Sequence, residues 1–207
     1  MIETEASPAH RPLEDTSLYG ILVGNAMTFL AAATQHWSLV PLLWVYWGQS
    51  VVIGITNVIR MLRLEEYSTA GFQPPLPPTR ATLVKYTGFF ALHYGGFHFV
   101  YAALLFSGKV GGRPAPADVP WIVTGILGFA LAHGYSLWVN HGRDFRQKKP
   151  NLAALMFYPY LRILPMHLAI VLGGALTGAI LPLFIGLKTV ADAGMHLIER
   201  WMFQRAD

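Results

Sequence analysis

Cysteine is absent from all 207 residues, which excludes disulfides, thiolate metal sites and cysteine nucleophiles. Charge is scarce as well. Only 13% of residues are Asp, Glu, Lys or Arg against 54% that are hydrophobic, and a mean hydropathy of +0.41 is too apolar for an ordinary soluble domain of this length. Acidic residues are the rarer sign, 11 against 15 basic ones. The basic residues fall between apolar segments and form no continuous face, which argues against nucleic acid as a partner. The first 17 residues lack an apolar core and contain Glu3, Glu5, Glu14 and Asp15. That is the wrong make-up for a cleaved signal peptide, so the first membrane helix is expected to direct insertion.

What the chain has in abundance is apolar sequence in bilayer-length pieces. A membrane-spanning helix needs about 20 mostly apolar residues, and six stretches qualify: 18–36, 39–62, 84–107, 120–140, 161–179 and 181–203, the last being the least apolar. Turn chemistry separates them at Gln35 to Pro41, Gly108 to Pro120, the basic run Arg143 to Pro150, and Gly178 to Pro182. The proline-rich run Gln73 to Thr79 reads as a stiff connector. The expected fold is all-α, a six-helix transmembrane bundle over 18–203 with a polar cytoplasmic segment 1–17 and a cytoplasmic tail 204–207. No internal repeat is evident.

Cytoplasmic loops retain Lys and Arg, which gives the orientation. With the N-terminus inside, that side holds Arg11, Arg60, Arg63, Arg80, Lys85, Arg143, Arg146, Lys148, Lys149, Arg162, Arg200 and Arg205. The other side holds only Lys109 and Arg113, and Lys188 lies within the sixth span. Both termini are therefore expected in the cytoplasm of a cell whose inner (plasma) membrane carries the protein. Gly20 with Gly24, and Gly174 with Gly178, have the small-xxx-small spacing that lets helices approach closely.

Each of four spans brings a histidine, His93, His133, His167 and His196, to a common depth of roughly 9–12 Å from the cytoplasmic end at about 1.5 Å per residue. On the sixth span Lys188, Asp192 and His196 form one stripe at i,i+4 spacing. An ionisable group inside a span costs several kcal/mol unless paired or hydrated, so the simplest account is a Lys188–Asp192 ion pair facing the bundle interior. His133, Ser136 and Asn140 line up similarly on the fourth span. Gln49 and Asn57 read as amides that join helices by hydrogen bonds. His98 reads as a packing or hydrogen-bonded residue, Arg60 and Arg63 as snorkelling anchors, and Trp37, Trp44, Trp47, Trp121 and Trp201 as interfacial or lipid-facing aromatics.

Imidazoles suit transition metals, zinc among them. Three histidines with an open position would hold a catalytic zinc that activates water, with His93, His133, His167 and His196 as ligands. Asp192 would then be a fourth ligand, a general base or an acceptor orienting His196, and Lys188 its counter-ion. The substrate would be a lipid or other small molecule. That metal site is the leading reading; the alternative is a proton relay or proton-coupled transporter, since Lys, Asp and His inside a membrane are the usual components of proton pathways. Haem between two histidines, and a purely structural subunit, are the remaining readings.

At His93-Tyr94-Gly95-Gly96, His133 with Ser136, Pro159-Tyr160 followed by Arg162, His167 with Gly173-Gly174, and Lys188-Thr189 through Asp192 to His196, the chain resembles a family of small multi-pass prokaryotic membrane proteins without established activity. The intramembrane His, Asp and Ser set is more loosely similar to the superfamily of alkaline ceramidases and progestin/adipoQ-type receptors. That similarity implies zinc-dependent amide hydrolysis. Members of that superfamily have seven core helices and a His-x-x-x-His pair on the last, where this chain has Asp192-x-x-x-His196.

Overall fold

A computed structural model describes residue 30 and residues 39–144, 149–172 and 180–204. The first predicted span, Leu30 apart, lies outside the described residues, as do Gly20, Gly24, Gly174 and Gly178. Regular structure among the described residues is helical: α1 (Leu39–Leu62), α2 (Arg80–Ser107), α3 (Val119–Asp144), α4 (Leu152–Phe157), α5 (Ile163–Leu172) and α6 (Ile180–Gln204). A 3-10 turn at Pro116–Asp118 leads into α3, and another at Tyr158–Arg162 joins α4 to α5.

Among the described residues, four stretches are long and apolar enough to cross a membrane: Leu39–Leu62, Arg80–Ser107, Pro116–Tyr135 and Leu152–Val171. Their surfaces are inverted relative to a water-soluble fold. Leu92 is 81% exposed on α2, Trp138 79% and Trp121 77% exposed on α3, a pattern that water would penalise and lipid tails would not. The sixth predicted span corresponds to α6, which contains Lys188, Asp192, Glu199 and Arg200 and is not among these four apolar stretches.

Helix α1 is central, packing on α2 and α3 and reaching the α4–α5 segment. Glycine makes two of these contacts close. A methyl group added at Gly48 would collide with Ile126, and one at Gly54 would stand 2.6 Å from the Tyr94 ring. Trp44 and Trp47 are half-buried against the core. They pack on each other, Trp44 also packs edge-on against Phe106, and the Trp47 indole N–H donates to the His98 carbonyl at 2.9 Å, because a polar N–H inside the bundle needs an acceptor.

The loop between α1 and α2 is pinned at both ends. Arg80 donates to the Leu62 carbonyl at 2.7 Å, the Tyr67 hydroxyl to the Thr79 carbonyl at 2.6 Å, and Thr79 caps α2 by accepting from the Thr82 amide. The Ser68 amide and carbonyl bond the Pro150 carbonyl and the Leu152 amide, each at 2.9 Å, which ties this loop to the start of α4.

The fifth span differs most from expectation. It starts at Leu152 rather than at residue 161, and it is discontinuous. Proline explains the break. Pro159 has no N–H to give the Leu155 carbonyl four residues back, and its ring would crowd that turn. The carbonyl so released is buried and accepts instead from Asn57 Nδ2 of α1 at 2.9 Å. Pro165 falls in the first turn of α5, where a missing N–H costs nothing. Together the two prolines bracket a turn that the bilayer tolerates because protein groups satisfy its backbone.

Candidate functional site

Arg162 closes the 3-10 turn and enters the protein interior. The positive-side count had placed it in the cytoplasm. It is instead 6% exposed and near the middle of the Leu152–Val171 stretch. A guanidinium can sit there only if its charge and donors are met, and partners arrive from two helices. Arg162 Nη1 pairs with Asp192 Oδ1 of α6 at 2.9 Å, and Nη2 donates to Gln49 Oε1 of α1 at 3.2 Å. The guanidinium also lies over the Tyr46 ring at 4.6 Å and the Phe129 ring at 5.6 Å, using aromatic faces from α1 and α3.

Asp192 has a second cation. Its other oxygen, Oδ2, takes Lys188 Nζ at 2.6 Å, so the expected i,i+4 ion pair is present and facing inward, with side-chain exposures of 23% for Lys188 and 13% for Asp192. The aspartate thus bridges two cations, one oxygen to each. These three side chains sum to +1. Two buried donors in the same layer, Arg162 Nε and the Tyr46 hydroxyl, have no hydrogen-bond partner among the described residues.

The histidines whose side chains are described have separate partners. His93 Nδ1 bonds the Tyr160 hydroxyl at 2.8 Å on an exposed face, with its ring stacked on Phe89. His167 Nδ1 bonds the Tyr101 hydroxyl at 3.2 Å. Eight residues of α2 separate these two contacts, which puts His93 and His167 about 12 Å apart in depth, not at one level. The common depth was counted from a fifth span starting at residue 161, and the true start at Leu152 removes it. His133 is half-buried and stacked on Phe129 at 4.2 Å. The side chain of His196 lies outside those described, as do those of Ser136 and Asn140. Among the described residues no group of three or more His, Asp or Glu stands together as a metal site requires.

Two secondary expectations hold. Asn57 joins α1 to α4, Gln49 joins α1 to the 3-10 turn, and both do so through side-chain hydrogen bonds. His98 is buried, with Nδ1 2.9 Å from the Tyr94 carbonyl. The residues that sequence reasoning missed are Arg162 and Tyr46. The available signal was an arginine three residues after a proline, inside a stretch from Leu152 to Val171 that is otherwise free of charge.

A buried carboxylate bound to two cations, one on a helix break and one on its own helix, can exchange ions or protons at that point. No curated protein and no solved structure matches the chain. A family model does, across residues 7–207, and the chain accordingly belongs to the family of unknown function DUF6498.

Proposed function

We propose that this protein is a proton-coupled transporter of the inner (plasma) membrane, with six spans, both termini cytoplasmic, and the Arg162–Asp192–Lys188 triad as its translocation site. One observation carries this reading: an ion-paired carboxylate deep in an apolar bundle is gripped by an arginine mounted on a discontinuous helix. Transporters use broken helices at the membrane interior to hold charged cargo, and intramembrane Lys, Asp and Arg mark ion and proton pathways. A proton delivered to Asp192 weakens two ion pairs at once. It thereby loosens α6 from the turn that joins α4 to α5.

The topology follows from the loop charges. With Arg162 moved to the interior, eleven Lys and Arg still lie on the N-terminal side against Lys109 and Arg113 opposite. Reporter fusions at residues 1 and 207 are expected to give cytoplasmic signals. A periplasmic or external signal from either end defeats the six-span arrangement.

Transport is tested in liposomes loaded with a pH-sensitive dye, against a panel of neutral, cationic and anionic solutes. In wild-type vesicles at least one solute should accelerate proton entry. Vesicles carrying a triad made apolar, Arg162→Met with Lys188→Met and Asp192→Leu, should behave as empty ones. Proton entry unaffected by every solute rejects the transporter reading. Stoichiometric zinc in purified protein, lost in His93→Ala and His133→Ala, would replace it with metal-dependent hydrolysis.

A further inference from the structure

We infer that the cargo bound at this site is a planar monovalent oxyanion of the carboxylate type, and that Asp192 occupies its place in the resting protein. This rests on the transporter reading and names its substrate class. The geometry around Asp192 is that of a carboxylate receptor. One oxygen takes a guanidinium N–H and the other an ammonium, at 2.9 and 2.6 Å, the pairing that Arg and Lys make with a bound carboxylate.

The receptor has donors to spare. Arg162 has three donor nitrogens, of which Nη1 serves Asp192, Nη2 serves Gln49, and Nε serves nothing among the described residues. The hydroxyl of Tyr46, on the ring beneath the guanidinium, is likewise unpartnered, and Tyr46 is 1% exposed. Buried donors are almost always satisfied in folded proteins. Two of them beside a cation that already holds a carboxylate point to an anion with more acceptors than Asp192 can present.

Charge balance explains why the cargo carries one negative charge. In the resting state the two cations and Asp192 sum to +1. A proton from water bound to the Asp192 carboxylate, with a monovalent anion taking its ion pairs, leaves that sum at +1. No net charge is added to the apolar layer, so each proton is matched to one anion and the step balances. A divalent anion would take the sum to zero, and a cation would raise it to at least +3 once Asp192 is protonated, so a monovalent anion is the cargo that leaves it unchanged. Among the described residues, the other groups facing the triad are Tyr46 and Gln49 of α1 and Phe129 of α3, with Tyr94 and His133 further out in the field of Arg162. None of these is a carboxylic acid.

The probes are nitrate and lactate, with sulfate and guanidinium as controls at constant ionic strength. Thermal unfolding of the full chain in detergent should rise with nitrate or lactate and stay flat with the controls. In Tyr46→Phe, which breaks no hydrogen bond within the described protein, the fold should be as stable as wild type while apparent affinity for the probe falls about 10-fold or more. In liposomes lactate or nitrate should drive proton entry. Proton entry driven only by a neutral or cationic solute overturns the anion while leaving the transporter. Nitrate or lactate binding that weakens in Tyr46→Phe, with no proton entry for any solute, keeps the anion site and rejects transport. Stabilisation that is equal for nitrate and sulfate, or unchanged in Tyr46→Phe, overturns the site.

Discussion

Replacing Asp192 alone by leucine is expected to destabilise the protein by about 3–5 kcal/mol, the usual cost of stranding a buried charge. Here two cations, Arg162 and Lys188, lose the carboxylate that holds them at 2.9 and 2.6 Å. Removing the cations together with the aspartate should cost far less. Substituting well-packed apolar residues for an entire buried ion network is often neutral or stabilising, so Arg162→Met with Lys188→Met and Asp192→Leu should restore the fold. Gln49→Leu can be added, since Gln49 would otherwise lose the Arg162 donor. Unfolding by SDS in mixed micelles measures both variants. If the triad exists for stability, the fully apolar protein will unfold more easily than the single variant. Recovery of wild-type stability without recovery of proton entry shows instead that these charges are kept for function.

The sequence was legible where a pattern was local. Apolar length located the spans at 39–62 and 84–107 to within a few residues of α1 and α2, because a helix in lipid must satisfy its own backbone over a fixed thickness. The Lys188–Asp192 pair was legible for a similar reason. Both residues lie on one helix, and i,i+4 spacing brings them together whatever the tertiary structure does. Arg162 was not. Its nearest charged partner is 30 residues away in sequence, and charge counted by position assigns an arginine beside a proline to a loop. Only packing reveals that α6 supplies its counter-ion and α1 its amide acceptor. The depth assigned to His167 was shifted for the complementary reason. Equal depth depended on where each span was taken to begin, and the later start assigned to the fifth span shifted His167 by about two turns.

Asn57 allows the broken helix to be tested apart from the charges. Its Nδ2 fills the bond that Pro159 leaves open at the Leu155 carbonyl, at 2.9 Å, and also approaches Met61 Sδ at 3.6 Å. Asn57→Leu keeps the volume but leaves that carbonyl buried without a donor, which should cost about 1–3 kcal/mol. Part of this loss is offset because the Asn57 Oδ1, itself unpartnered, disappears too. Adding Pro159→Ala supplies an N–H four residues after Leu155, so the double variant should recover most of the stability, with a coupling energy of about 1–2 kcal/mol between the two sites. A simple sum of the two single effects, measured by SDS unfolding, would show that the carbonyl is satisfied in some other way. The recovered double variant is also expected to be inactive. With an N–H at residue 159 the α4 turn can continue as α-helix through Tyr160, which rotates Arg162 away from Asp192 and takes the receptor apart while the bundle stays folded.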